Sequence, residues 1–276
     1  MSKSGSVLPE RAACSLSLVL LMLAGLKGTE SDAACLSSPD GELPYELNPQ
    51  LSRRWSIRMG SPPSCFDALV FDFDGTLVDS NEIKTEAFGK LYESEGEAVV
   101  EQVKAYHRKH EGLSRFVKFR HWEENLLKRP YTESREAQLA GQYSRMVLDA
   151  VIQAPYLPGV QEFLENHHAQ IPLYVASGTP EPDLRLTVSE RGMSHYFQGV
   201  YGSPATKAEI LNRIVPLTGN PERVLMIGDA LADLEGAKLA GTPFLGIITP
   251  ARENSFPPEI RCLPDLQGLR TLIFSP

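Results

Sequence analysis

Cysteine is sparse in this chain of 276 residues: Cys14, Cys35, Cys65 and Cys262 stand far apart and form no C-x-x-C pair. That spacing offers no zinc site, no redox dithiol and no disulfide framework, and a reducing compartment is the simpler setting for the main domain. Long apolar runs are also lacking. Leu16 to Leu26 has eleven residues, short of the roughly 20 that a membrane-spanning helix needs. Nor is there a surplus of positive charge. The formal net charge of −8 argues against nucleic acid as the main partner, which would favour a basic chain. What the length does supply is room for one or two domains and an ample core.

The first sixty or so residues stand apart. Lys3 and Arg11 precede the short apolar stretch, and Ser31-Asp32-Ala33 offers small residues for cleavage, as in a secretory signal. Against that, Glu10 lies just before the stretch, and Asp40 to Pro63 is rich in Pro, Ser and charge without periodicity, a composition that suits a disordered linker. A start at Met59, seven residues before Phe66, is a third reading. Residues 1–64 are thus an extension, disordered or signal-like. The expected location is the cytoplasm, or outside the cell if residues 1–33 are a signal, with no stable membrane insertion in either case.

The most informative stretch follows. Phe66 to Phe71 reads as a short, buried strand, and it runs into Asp72-Phe73-Asp74-Gly75-Thr76. Two carboxylates two apart at a strand's end can serve as nucleophile and proton carrier. Gly75 permits a sharp turn, and Thr76 places a hydroxyl and a backbone N–H near an anion. A plain Asp-Gly turn is the competing reading. A second apolar run, Ile171 to Ala176, ends at Ser177-Gly178-Thr179, where a short hydroxyl side chain and a glycine let the backbone approach a phosphate. Lys207 falls in the first turn of an expected helix with Pro204 near its start, a point charge suited to a phosphate or carboxylate. Arg223 to Ile227 is a further strand, leading into Gly228-Asp229 and on to Asp233. Asp229 and Asp233, four apart, suit a hard, oxygen-seeking cation and a supporting contact behind it. Three of these four sites follow directly on expected parallel strands, where open α/β sheets bind their ligands.

Taken in this order, the segments resemble the four motifs of the haloacid dehalogenase (HAD) superfamily of phosphohydrolases, in its phosphoglycolate phosphatase-like branch with a helical cap. The resemblance covers roughly residues 65–250. It implies an α/β fold: a Rossmann-like parallel sheet flanked by helices, with an inserted all-helical cap domain. The core would span 65–79 and 155–276, and the cap 80–154. Within 80–154, apolar residues at Ala87, Leu91, Val99, Val103, Tyr106, Leu139, Tyr143, Met146, Val147 and Ala150 recur at three- and four-residue steps, a helical period. Glu95-Gly96-Glu97, His110-Glu111-Gly112 and Arg129-Pro130 punctuate it.

The resemblance further implies a mechanism. Asp72 attacks phosphorus and becomes an aspartyl phosphate; Asp74 gives and then takes a proton. Mg²⁺ would be held by the Asp72 carboxylate, the Asp74 backbone carbonyl and the Asp229 carboxylate. Ser177 and Lys207 contact phosphoryl oxygens, Thr76 and Gly178 help to bind them, and Asp233 orients Lys207 or a metal-bound water. The substrate would be a small phosphorylated metabolite, such as a phosphorylated acid or sugar. From Lys104 to Arg129 the chain carries eight basic and three acidic residues, a surface that draws anions or merely a solvated helix face. Within it, His110, Gly112, Ser114, Arg115 and Lys118 resemble the specificity loop of capped relatives, and Arg115 and Lys118 are the expected substrate contacts. Three alternatives stand beside the phosphatase: a phosphotransferase or mutase of the same fold; a dehalogenase or phosphonate hydrolase, which Asp74 disfavours; and a non-catalytic binding or regulatory protein on this scaffold.

Overall fold

In the computed structural model the described residues are 65–250 and 252–274; the expectations for residues 1–64 lie outside them. Strand β1 (Ala68–Phe71) is followed by the helices α1 (Asn81–Leu91), α2 (Glu97–Lys109), α3 (Arg115–Arg120) and α4 (Glu133–Gln153). The chain then returns through α5 (Val160–His167), β2 (Leu173–Pro180), α6 (Glu181–Glu190), β3 (Gly199–Ser203) and α7 (Lys207–Thr218). It finishes with β4 (Val224–Gly228), α8 (Leu231–Ala240), β5 (Phe244–Ile247), β6 (Cys262–Leu263) and α9 (Leu269–Ile273).

The six strands form one sheet in the order β3-β2-β1-β4-β5-β6, with every neighbouring pair parallel. A parallel sheet must be covered on both faces, so its strands read as continuous apolar runs. Leu69, Phe71, Leu173, Val175, Leu225 and Ile227 pack into one apolar layer with Phe163 of α5 and Ile273 of α9. Ala68, Val70, Tyr174, Ala176 and Met226 face the other, against Ile210, Leu211 and Ile214 of α7 and Ala237 of α8. The chain builds β2 and β3 on one side of β1, then crosses to build β4 on the other. That reversal opens a crevice at the carboxyl ends of β1, β2 and β4, the usual ligand position in such sheets.

Strand β2 differs from the sequence expectation. It does not stop at Ala176 but continues through Ser177-Gly178-Thr179, and its register against β3 shifts between Ala176 and Pro180. Ser177 nonetheless lies beside Asp72 at the carboxyl end of the sheet although it is within the strand.

The helices between β1 and α5 pack around aromatic rings. Phe88 of α1 stacks on Tyr143 of α4 with centroids 4.0 Å apart and meets the Trp122 ring edge-on at 5.0 Å. Trp122 lies in a π-helical turn, residues His121–Leu126, that continues α3. Offset and edge-on pairs of this kind add to simple area burial. Gly96, at φ +93°, separates α2 from the single 3₁₀ turn after α1. Thr132 caps α4 by accepting a hydrogen bond from Arg135 N–H at 3.2 Å, as short hydroxyl residues do at helix starts. The two connections to the sheet are tied to each other: Asp79 N–H donates to Pro155 C=O at 2.9 Å, and Leu157 N–H to Leu77 C=O at 3.2 Å. These two bonds make a paired neck between the helices and the sheet.

Candidate active site

Beyond β1 the chain leaves the sheet, and the two aspartates part company. Asp72 is 2% exposed and its Oδ1 lies 2.7 Å from Lys207 Nζ while accepting the Phe73 N–H at 2.7 Å. Asp74 turns toward the helices. Its Oδ1 accepts from Ser80 Oγ at 2.6 Å, and its Oδ2 accepts from Thr179 Oγ1 at 3.1 Å and from Lys84 Nζ. Gly75 makes the turn after Asp74: it sits at φ +79°, and a Cβ there would stand 2.1 Å from Asp229 Oδ2.

Lys207 is the first residue of α7, whose start is fixed by a capping box between Thr206 and Glu209. Its ammonium is held by three acceptors: Asp72 Oδ1, Asp233 Oδ1 at 2.6 Å, and Ala176 C=O at 2.5 Å. Lys207 donates a hydrogen bond to Ala176 C=O and is ion-paired with both carboxylates, which holds Asp72 in place and sets a positive charge beside the position of a phosphoryl oxygen. Asp233 is also fixed from behind, with Ala230 N–H donating to its Oδ2 at 3.1 Å.

Asp229 follows β4 and closes the cluster. Oxygens of Asp72, Asp229 and Asp233 all lie within 4.8 Å of one another. Burial raises the Asp72 carboxyl above its usual range, Asp233 adds to this, and Lys207 opposes it. Asp229 is raised in the same way, by burial first and then by Asp72 and Asp233. For Asp74 burial also pushes upward, but Lys84, Ser80 and Thr179 outweigh it, and the net direction is down. Three crowded carboxylates facing two cations, Lys207 and Arg252, form an all-oxygen donor set with negative charge to spare, which fits a hard divalent ion.

A cavity of about 40 Å³ lies between the sheet end and the helices, lined among others by Asp72, Asp74, Ser177, Gly178, Arg115 and Lys118. Its roof is the loop at Gly112, and a Cβ on Gly178 would stand 2.3 Å from Gly112 C=O. Only glycine at 178 lets the two segments approach so closely.

The structure therefore brings Asp72, Asp74, Ser177, Gly178, Lys207, Asp229 and Asp233 together at one end of the sheet, with Arg115 and Lys118 across the cavity. Thr76 is placed differently. Its hydroxyl donates to Asp229 Oδ1 at 3.3 Å and it does not line the cavity, so its side chain braces a carboxylate. Arg115 is partly committed, because Nη1 donates to Ser144 Oγ at 2.7 Å and to Asp183 Oδ2 at 2.9 Å. Lys118, 3% exposed, has no such carboxylate among the described residues; its Nζ lies 2.9 Å from His107 Nδ1. Burial, followed by repulsion from Lys84, brings the Lys118 ammonium down to about 7.

Several contributors escaped sequence reading. Ser80 and Lys84 stand one helical turn apart at the start of α1, a spacing that puts both on Asp74 and was visible in the sequence. Thr179 ends the Ser-Gly-Thr run and supports Asp74. Asn81 Nδ2 donates to Asp229 Oδ2 at 2.8 Å. Arg252, which donates to the same oxygen at 2.6 Å, carries no local signal at all.

A profile of the haloacid dehalogenase-like hydrolases matches residues 66–241. The chain belongs to this family and is an enzyme of the HAD hydrolase class. A protein of Thermotoga maritima named phosphorylated carbohydrates phosphatase is 26% identical over 192 residues, covering 63% of this chain and 82% of that one. Among solved structures, YfnB of Bacillus subtilis, bound to magnesium, superposes with a TM-score of 0.56 at 22% identity, covering 75% of this chain and 98% of that one. CbbY of Rhodobacter sphaeroides, in complex with phosphate, gives 0.57 at 18% identity, covering 73% and 96%. At such identities the structural likeness speaks for the fold: a Rossmann-like parallel sheet with a helical cap. Among the described residues no helix is long and apolar enough to cross a membrane.

Proposed function

We propose that the protein is a Mg²⁺-dependent phosphomonoesterase that cleaves a small phosphorylated metabolite through an aspartyl phosphate on Asp72. In this reading residues 80–154 are a cap over the core of 65–79 and 155–274. The observation that carries the reading is the buried ion pair of Lys207 with Asp72 at 2.7 Å, beside an Asp74 that has its own separate partners. Lys207 holds the Asp72 carboxylate still, as a nucleophile requires, and opposes what burial and Asp233 do to it, while Asp74 on its separate partners is left to carry the proton.

The Asp72 carboxylate, the Asp74 backbone carbonyl and the Asp229 carboxylate would hold Mg²⁺, which supplies charge neutralisation between the attacking carboxylate and the phosphate. Everything else falls to the chain. Asp72, fixed by Lys207 and the Phe73 N–H, attacks phosphorus in line. Ser177 and the backbone at Gly178 orient phosphoryl oxygens. Asp74 first protonates the leaving oxygen, then deprotonates the water that attacks phosphorus of the aspartyl phosphate and releases the Asp72 carboxylate. With Lys84 beside it, Asp74 is ionised before substrate arrives, so it must acquire its proton on binding. The added negative charge of the phosphoryl group favours that uptake, and a monoanionic ester brings the proton with it. The small cavity excludes bulk water once the cap is down, and a substrate enters by the cap moving on its neck.

Phosphate release from a panel of phosphorylated metabolites, measured with Mg²⁺ and again after chelation, tests this reading. Release should be lost on chelation and restored by Mg²⁺. A requirement for added sugar bisphosphate would instead identify a mutase, and no turnover of any ester would leave a binding protein. Phosphorylated carbohydrates lead the panel, given the name of the Thermotoga relative.

Asp74→Asn provides a second check. It should slow an alkyl phosphate by about 10²–10⁴-fold, the usual worth of a general acid–base. The first half-reaction of p-nitrophenyl phosphate, whose leaving group scarcely needs a proton, should suffer far less. Equal losses in single-turnover cleavage of the two esters would remove Asp74 from this role.

A further inference from the structure

Arg252 lies after β5, outside every motif, yet it joins the two halves of the site. Its Nη1 donates to Asp229 Oδ2 at 2.6 Å, and its Nη2 pairs with Glu111 Oε2. Asp229 belongs to the sheet end. Glu111 belongs to the loop between α2 and α3, next to Gly112, which roofs the cavity over Gly178. Both carboxylates are nearly covered, with side chains 3% and 9% exposed, while the guanidinium is 32% exposed. Arg252 is thus a positive bridge from the carboxylate cluster to the cap loop.

The charges around it give the bridge a consequence. Asp72, Asp229, Asp233 and Glu111 are four carboxylates facing two cations, Lys207 and Arg252. Lys207 is spent on Asp72, Asp233 and Ala176, which leaves Arg252 to compensate Asp229. A divalent ion at Asp229 would bring its charge to the same carboxylate, and two cations so close repel each other. Arg252 is the one able to withdraw, being on a loop and a third exposed, whereas Lys207 is anchored in a helix and buried.

We propose that Arg252 is a latch: it ties Asp229 to Glu111 in the metal-free protein and lets go of Asp229 when a divalent cation binds, so that metal loading loosens the cap loop. This rests on the metal site proposed above. It adds a coupling between that site and the cap, with Arg252 as a positioning residue that touches neither substrate nor reacting atoms.

The test uses the full chain stripped of metal, with Mg²⁺ as the probe. Calorimetry gives Mg²⁺ affinity, and hydrogen exchange follows the backbone amides of residues 110–114. Arg252→Gln should bind Mg²⁺ about 3- to 10-fold more tightly, because a competing charge beside the ligand is gone and partial exposure limits the gain. Its 110–114 amides should exchange faster than those of the parent before any metal is added. In the parent, Mg²⁺ should accelerate the same amides, and in Arg252→Gln it should add little. Glu111→Gln separates the two contacts: it should free the loop without tightening Mg²⁺, since Arg252 still faces Asp229. Arg252→Lys should restore much of the competition and less of the bridge, a single ammonium being unable to fork.

Unchanged or weaker Mg²⁺ binding in Arg252→Gln would overturn the latch, and so would unchanged exchange in the metal-free variant. Absence of Mg²⁺ binding in parent and variants alike would remove the proposed metal site and the competition with it. Because exchange in the metal-free protein is read first, that outcome is distinguishable from failure of the bridge itself.

Discussion

Asp72→Asn should lower kcat by at least about four orders of magnitude, the scale on which loss of a covalent nucleophile is felt. The substitution keeps the shape of the side chain and removes the attacking oxygen anion. The fold should survive it. Lys207 keeps its contacts with Asp233 Oδ1 and Ala176 C=O, and the amide oxygen can still accept from the ammonium. Loss of one negative charge also relieves the crowding that raises Asp72 and Asp229 together. The thermal midpoint should therefore hold or rise while turnover disappears. That pairing matters, since a variant that merely misfolds would lose both. Activity within tenfold of the parent on p-nitrophenyl phosphate would sink the covalent role of Asp72.

The parts of this site that could be read from sequence are those set by local chain geometry. Asp72, Ser177 and Asp229 each sit where an apolar run gives way to small or acidic residues, and a parallel sheet brings such ends together whatever the loops do. Lys207 could be read from its place at a helix start. The helices of residues 81–153 were legible because Ala87, Val103, Leu139, Tyr143 and Val147 keep a helical period, and each is buried. What could not be read depends on contacts across long separations. Arg252 meets Glu111 from 141 positions away, and Arg115 meets Asp183 from 68; neither pairing leaves a trace in its neighbourhood. The extent of β2 was misjudged for a different reason. Ser-Gly-Thr has the composition of a turn, but the pairing with β3 carries the strand on to Pro180.

Arg115 shows how a side chain can be well placed and still carry a different weight. Sequence reading made it, with Lys118, an expected substrate contact. In the structure its guanidinium lies 4.8 Å from the Tyr143 ring centroid and spends Nη1 on Ser144 and Asp183. Its charge is largely answered within the protein. Removing it would strand Asp183 and unseat Ser144, mixing structural with functional loss. Lys118 is the cleaner anion receptor: it is buried in the cavity wall, has a neutral imidazole as its near partner, and has no carboxylate of the described residues at hydrogen-bond distance. Burial drives His107 well below its usual range, and Lys118 adds to this, so His107 accepts through Nδ1. Its Nε2 has no partner among the described residues.

Lys118→Met should accordingly have its effect on specificity. For a substrate with a second anionic group, kcat/KM should fall by about 2–4 kcal/mol of transition-state binding, the range for losing a charged pair in a closed site. For p-nitrophenyl phosphate, which has no second anion, it should change little. The parent should show a matching pH dependence. Lys118 titrates near 7 against its ordinary 10.5, facing His107, Lys84, Arg115, Asp74 and Asp72 across the cavity. Above pH 7 the free enzyme loses the ammonium, so kcat/KM for the bis-anionic substrate should decline as pH rises, while p-nitrophenyl phosphate shows no such limb. Stability should run the other way. Between about 7 and 10.5 the unfolded chain holds a proton on Lys118 that the folded chain has released, so this group's contribution to stability rises with pH across that window and is smallest below it. Methionine fills a similar volume without a charge to desolvate, so Lys118→Met should flatten that slope and raise the thermal midpoint at pH 6. Equal losses on both substrates, or a lowered midpoint, would make Lys118 a structural element of the cap and return the choice of substrate to Arg115.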